Sequence, residues 1–127
     1  MPRRARTGPG LPAPAGPYSH VAEANGVVWT AGFGPQDPAS GRVPEGIEAQ
    51  TEKVLDNVEG ALRLTGLTLA DVVKVTAHLQ DVTRDFAGFN AAYERRFDPP
   101  YPVRTTVGST LPGILVEIDV TAARPQE

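Results

Sequence analysis

The chain contains no cysteine. That excludes a disulfide framework, a thiolate metal site, an iron–sulfur cluster and a cysteine nucleophile. It also fits a reducing compartment, and the sequence reads as that of a cytoplasmic protein. Histidine is scarce: His20 and His78 stand alone and far apart in sequence. A zinc or iron site would need both of them plus carboxylates, so no metal is expected. Long apolar runs are missing, which argues against a bilayer-spanning helix. Met1-Pro2-Arg3-Arg4-Ala5-Arg6 is not followed by an apolar segment, which argues against a secretory leader. Pro9, Pro12, Pro14 and Pro17 would break the amphipathic helix of a transit peptide.

Positive charge is also in short supply. Three of the twelve Lys and Arg residues fall in the first six positions, leaving nine basic against fifteen acidic groups, a net of −6, for the rest. Nucleic-acid binders carry a basic face or stripe, so that partner class is disfavoured.

What remains is a globular composition: 127 residues, 40% apolar and 21% charged. This is the size of one domain with a core of its own. The Pro/Gly-rich residues 1–16 read as a flexible arm and 17–127 as a single domain. Tyr18–Ala22 and Val27–Thr30 read as strands around an Asn25-Gly26 turn. A helix is predicted over 46–65, with Ile47, Val54, Leu55, Val58 and Leu62 on one face. Val72–Gln80 alternates as a strand, with Val73, Val75, Ala77 and Leu79 sharing one face. A second helix is predicted over 85–97, carrying Phe86, Phe89, Tyr93 and Phe97 at helical spacing. Strands follow over 103–109 and 114–122. The order β-β-α-β-α-β-β predicts an α+β sandwich with two helices on one mixed sheet. The opposite sheet face mixes polar and apolar residues, which points to burial between subunits of a homo-oligomer.

Gly32-Phe33-Gly34-Pro35 begins like a dinucleotide loop but lacks the third glycine, and Pro35 removes an amide, so it reads as a structural loop. No nucleophile elbow, Walker A loop or metalloprotease signature occurs. The last two strands hold the charged residues of interest. Arg104 is the one charge within Val103–Val107, while Glu117 and Asp119 share a face of Val116–Val120. Read as a hairpin turning near Leu111, the two strands place Arg104 opposite Ile118 and within reach of either carboxylate. Two readings stay open. One is a cross-strand salt bridge. The other is an arginine fork that grips a substrate carboxylate beside a general base.

Several segments in order resemble those of one known family. They include Gly16-Pro17-Tyr18-Ser19, Trp29-Thr30-Ala31-Gly32, Gly41-Arg42-Val43-Pro44, Val73-Lys74-Val75-Thr76, Phe89-Asn90-Ala91-Ala92-Tyr93, Tyr101-Pro102-Val103-Arg104 and Val116-Glu117-Ile118. From Ala15 to Ala123 the chain is similar to the RidA/YjgF family of enamine/imine deaminases. The resemblance implies a chorismate-mutase-like fold, a homotrimer whose sheets form a central barrel, and sites in the clefts between subunits. It implies hydrolysis of 2-aminoacrylate and 2-iminopropionate to 2-keto acids and ammonia, with no cofactor. Carried over by position, Arg104 would grip the carboxylate of the small imine or 2-keto acid. Glu117 would position and activate water, and Tyr18 would hydrogen-bond in the same pocket. The amides of Gly32 and Thr106 would complete the cradle, with Asn90 in a supporting position. Ala31 stands where many members have serine, and Thr106 where many have cysteine. These departures bear on substrate identity, and they leave open a different substrate or a non-catalytic carboxylate-binding role.

Overall fold

The elements form where the sequence supplies both a periodic apolar face and a stop. Helix α1 (Ile47–Arg63) buries Val54, Leu55, Val58, Ala61 and Leu62. It carries Glu48 in its first turn and Arg63 in its last, as the helix dipole favours. It ends where Gly66 adopts φ 79°. There the Leu67 amide donates to Leu62 O at 3.1 Å and the Gly66 amide to Arg63 O at 3.0 Å. That is the paired C-terminal wrap a left-handed glycine allows. Helix α2 (Val82–Glu94) starts three residues before its predicted position, because Asp81 caps it by accepting the Arg84 amide at 3.1 Å.

The computed structural model describes residues 3–126. Its strands are β1 (Arg4–Arg6), β2 (Val21–Ala24), β3 (Val27–Thr30), β4 (Val72–Leu79), β5 (Val103–Gly108) and β6 (Val116–Ala123). They form one six-stranded sheet in the order β1-β2-β3-β6-β4-β5. Among the described residues no helix is long and apolar enough to cross a membrane. Both helices lie on one face, over Val28, Val75, Ala77, Leu79, Val116, Ile118 and Val120, all nearly or fully buried. The other face is uncovered in the single chain and displays Trp29, Val103 and Val107 among polar residues.

Three expectations are corrected. First, β5 and β6 are not a hairpin. β5 pairs parallel with β4, and β6 pairs antiparallel with the other edge of β4. The connection 109–115 therefore crosses the end of β4, spanning two strand spacings, about 9.5 Å. It is tied there by the Ser109 amide to Leu79 O and the Gln80 amide to Leu115 O, each at 3.0 Å. Second, the pairing shifts between Val72 and Lys74. Such a bulge inverts the alternation locally, so Val72 is buried and Val73 is 50% exposed. Third, the stretch read as a loose arm carries β1, with Arg4 opposite Glu23 and Arg6 opposite Val21. Buried His20 anchors it. His20 Nδ1 accepts the Gly8 amide at 3.1 Å, which leaves Nε2–H to donate to Pro12 O at 2.7 Å.

Glu23 ties the two ends of the chain together. It receives Arg124 through two hydrogen bonds, and Arg4 lies 3.6 Å away. Arg124 bonding chiefly, then Arg124, Arg4 and Arg6 charge, hold the Glu23 carboxyl below its ordinary 4.5 against the opposing effect of burial. A carboxylate lowered on folding adds stability above its unfolded value and loses it as acid protonates the folded form. The wild type should therefore be more stable than Glu23→Gln in urea titrations at pH 7. The difference should shrink steadily once the pH falls below 4.5. A difference that stays constant from pH 7 to pH 3 would refute this account.

Candidate functional site

Phe33 fixes the first group of candidate residues. Its amide donates to Ile118 O at 2.9 Å, and the Ile118 amide donates back at 3.1 Å. This isolated bridge pins the 31–34 loop beside β6, next to Glu117. The Ala31 amide is used by His20 O at 2.9 Å, whereas the Gly32 amide has no acceptor among the described residues. Glu117 packs on the bare α-carbon of Gly32: a Cβ there would lie 3.0 Å from both Cδ and Oε2 of the carboxyl group. Tyr18 folds back locally, its amide reaching Gly16 O and its hydroxyl accepting the Ala15 amide, each at 2.9 Å. The phenolic hydrogen remains available to donate.

Tyr18, Gly32 and Glu117 stand between two cavities. The larger, about 650 Å³, adds Ala31, Trp29 and Arg3. The smaller, about 360 Å³, lies on the side of His20, Phe33 and Asp37. His20 has both ring nitrogens engaged and serves as an anchor. Asp37 is held down to about 2 by the Ser40 amide and hydroxyl, Lys53 and the Ala39 amide. It organises its own loop.

Arg104 belongs to a second place. It pairs with Val75 on the helix-covered face of the sheet. Its guanidinium lies over an aromatic shelf on α2, 4.7 Å from the Tyr93 ring centre, 5.1 Å from Phe89 and 5.9 Å from Phe86. Nη2 donates to Asn90 Oδ1 at 2.7 Å. No carboxylate forms an ion pair with it among the described residues. The remaining N–H groups border a cavity of about 350 Å³ lined by Tyr101, Pro102, Glu94 and Tyr93. Burial pushes the Tyr93 hydroxyl up to about 12, with Arg104 pulling the other way. The shelf beneath the guanidinium is therefore uncharged at neutral pH.

The sequence-derived residues thus separate into two groups. Tyr18, Ala31, Gly32 and Glu117 come together; Arg104 and Asn90 come together, with Thr106 two residues along the edge strand β5 and on the same face. The two groups are not adjacent within one chain. Glu117 pairs with His78 on the open face, while Arg104 lies beyond β4 on the helix face. The expected cross-strand neighbourhood of Arg104, Glu117 and Asp119 does not exist, and with it falls the salt-bridge reading. Asp119 sits opposite Thr76 on the open face. Burial raises its pKa, and His78 and Lys74 lower it. Sequence reasoning missed the aromatic shelf, although the spacing of Phe86, Phe89 and Tyr93 was plain. It also missed Arg3, which had been assigned to a loose arm.

A family described as Endoribonuclease L-PSP matches residues 10–124. The chain belongs to this RidA/YjgF family. A RutC family protein of Haemophilus influenzae is 40% identical over 119 residues, 89% of this chain and 91% of that one. A 2-iminobutanoate/2-iminopropanoate deaminase of Escherichia coli K12 is 36% identical over 118 residues, again 89% and 91%. The crystal structure of E. coli TdcF with bound serine superposes with a TM-score of 0.89 at 30% identity, covering 96% and 99% of the two chains. The fold is thus the RidA/YjgF fold, two helices on a mixed sheet.

Two substitutions test the geometry. Arg104→Ala strands no carboxylate, so it should cost only about 1 kcal/mol of stability, the worth of a cation–π shelf. A loss of 3 kcal/mol or more, about what a broken buried pair costs, would contradict the unpaired arrangement. Gly32→Ala should keep the fold and displace Glu117, seen as a shift of the Glu117 carboxyl carbon-13 resonance. An unmoved resonance would show that the close packing is not there.

Proposed function

We propose that this chain hydrolyses small 2-imino acids and their enamine tautomers to 2-keto acids and ammonia, at a site completed between two copies of the chain. Its main support is Arg104. It is a half-buried guanidinium held over aromatic rings and steadied by one neutral amide, with donors left for an incoming anion. A planar fork in that state suits a substrate carboxylate. The family relationship to named imine deaminases supports the same reading.

The chemistry asks for few parts. Arg104 binds the carboxylate and so fixes where the C=N carbon lies. Glu117, facing a cleft and without an ion-pair partner among the described residues, accepts a proton from water as the oxygen attacks the carbon of the protonated imine and the C=N electron pair moves to nitrogen. The tetrahedral carbinolamine then loses ammonia: its nitrogen takes the proton held on Glu117, the C–N bond breaks as the C=O bond forms, and the hydroxyl proton passes back to the Glu117 carboxylate. The Tyr18 hydroxyl and the Gly32 amide donate hydrogen bonds to the water-derived oxygen as it loses its proton and becomes the carbonyl, and the open edge of β5 near Thr106 offers further backbone donors. Fixing carboxylate and water together supplies proximity, worth up to ~7–11 kcal/mol in ideal cases.

Arg104 and Glu117 lie on opposite faces of the sheet on either side of β4, so the mechanism requires a second copy to unite them. The uncovered sheet face and the free edge of β5 provide the surfaces, and a cyclic homotrimer is the assembly proposed. The net charge of −6 outside the first six residues does not favour RNA as the substrate.

Ammonia release from 2-aminoacrylate generated in situ should rise over the uncatalysed rate with wild-type protein. It should be lost in Arg104→Ala and fall by ~10²–10⁴-fold in Glu117→Gln. Mixing unfolded Arg104→Ala and Glu117→Ala chains and refolding them together should restore about one wild-type site in four if each site draws on two subunits of a ring. No recovery would place both residues in the same chain's site and sink the composite arrangement. No release by the wild type would sink the deaminase reading.

A further inference from the structure

Strand β1 brings a charge into the cleft that the proposed reaction does not use. Alternation along β1 sends Arg4 and Arg6 to one side. There Arg4 lies 3.6 Å from Glu23 and Arg6 Nη1 donates to Leu64 O at 3.2 Å. Arg3 and Ala5 fall on the opposite side, and both line the cavity of about 650 Å³ that holds Tyr18, Gly32 and Glu117. The strand is held in register on β2, and the His20 amide donates to Arg6 O at 3.0 Å. Arg3 is the residue that leads directly into this paired strand. Among the described residues it forms no ion pair, and it is the one cation lining that cavity.

Two further observations concern what the cavity can hold. It opens on the uncovered sheet face, where a second copy is proposed to close part of it, so its chemistry rather than its single-chain volume bears on the ligand. Its wall beside Gly32 is the methyl group of Ala31, backed by the exposed indole of Trp29. A three- or four-carbon monocarboxylic imino acid has its one carboxylate on Arg104 and gives Arg3 nothing to bind. A substrate with a side-chain carboxylate places its second charge beside the second cation.

We propose that the site selects 2-imino acids bearing a second acidic group, with Arg3 as the specificity-determining residue for that distal carboxylate. The inference rests on reading the cleft as an imino-acid site. Arg104 of a second copy holds the α-carboxylate and Arg3 holds the far one, so the ligand is a dianion spanning the cleft. The corresponding keto diacids keep both carboxylates and do not react, so binding can be read without turnover.

The test is calorimetric titration of the assembled protein with 2-oxoglutarate and 2-oxobutanoate. The readout is the ratio of the two dissociation constants. Wild type should prefer 2-oxoglutarate, and Arg3→Ala should reduce that preference roughly three- to tenfold, the worth of one accessible charged pair. Arg3→Lys should retain part of the preference and Arg3→Glu should reverse it. Arg63→Ala, which removes an equal charge from the surface of α1, should leave the ratio where it was. The proposal is overturned if wild type shows no preference for the diacid, if Arg3→Ala leaves the ratio unchanged, if Arg63→Ala changes it as much, or if neither acid binds. Diacid preference lost in Arg3→Ala, together with no ammonia release from any imine, would instead overturn the deaminase reading and leave this one standing.

Discussion

Two strands joined by a helix that packs on one face of their sheet must run parallel, and a parallel strand cannot be reached by a tight turn. In this chain that requirement carries β5 from the end of α2 to the outer edge of β4. β6 is left to enter on the other side. The position of every candidate residue follows from this. Arg104, in register with Val75, is committed to the helix-covered face and to the aromatic side chains of α2. Glu117, in register with His78, is committed to the open face and to the Gly32 loop. β4 stands between them. A cation and a carboxylate that would cancel as neighbours are instead kept apart, each facing a cavity and without an ion-pair partner among the described residues.

An unanswered arginine is costly to desolvate unless its surroundings compensate. The shelf formed by Phe86, Phe89 and Tyr93 does so by turning ring faces toward the guanidinium. It adds no negative charge that would compete with an anionic ligand. Asn90 contributes direction rather than charge, because one neutral acceptor orients the fork and leaves the other donors open. Phe89 is fully buried, and Tyr93 stacks on Phe97 with ring centres 4.6 Å apart, so these two members of the shelf belong to the core, while Phe86 forms its exposed rim. The geometry of the arginine is therefore inherited from packing, and small movements of α2 would be transmitted to it directly.

Much of the architecture was legible in the sequence because it rests on local periodicity. The apolar stripe of α1, the alternation of β6 and the Asn25-Gly26 turn each specify one element. What could not be read was pairing. Period-two alternation identifies a strand but is silent on which neighbour it takes. Thr110–Gly113, rich in turn residues, suits a hairpin as well as it suits a crossover. The Val72–Lys74 bulge was equally invisible, since one inserted residue leaves both flanking alternations intact while reversing their sense. At β1 the signals conflicted. Pro and Gly around Arg4–Arg6 argue for an arm, whereas pairing with β2 and the His20 anchor, bonding Gly8 and Pro12 from twelve and eight residues away, make that arm part of the sheet. The candidate residues themselves came through the family resemblance. Their division into two groups came only from the topology.

The distribution of ion pairs separates the charges that hold the fold from those left for other work. On the helix side, Arg96 meets Glu52, Asp56 and Glu59, and Arg95 meets Glu48 and Glu52. At the chain ends Arg124 and Arg4 share Glu23. Those arginines cross-link elements, and removing Arg95, Arg96 or Arg124 deprives carboxylates of their principal partners. Arg104 and Arg3 differ in kind: each lines a cavity, and neither is matched to a carboxylate of its own chain among the described residues. A sequence with fifteen acidic residues and twelve basic ones has carboxylates to spare for pairing every arginine. The unpaired state of these two is therefore not imposed by a shortage of partners. It follows from where the strands place them, and an anion from outside the chain is what such an arrangement can accept.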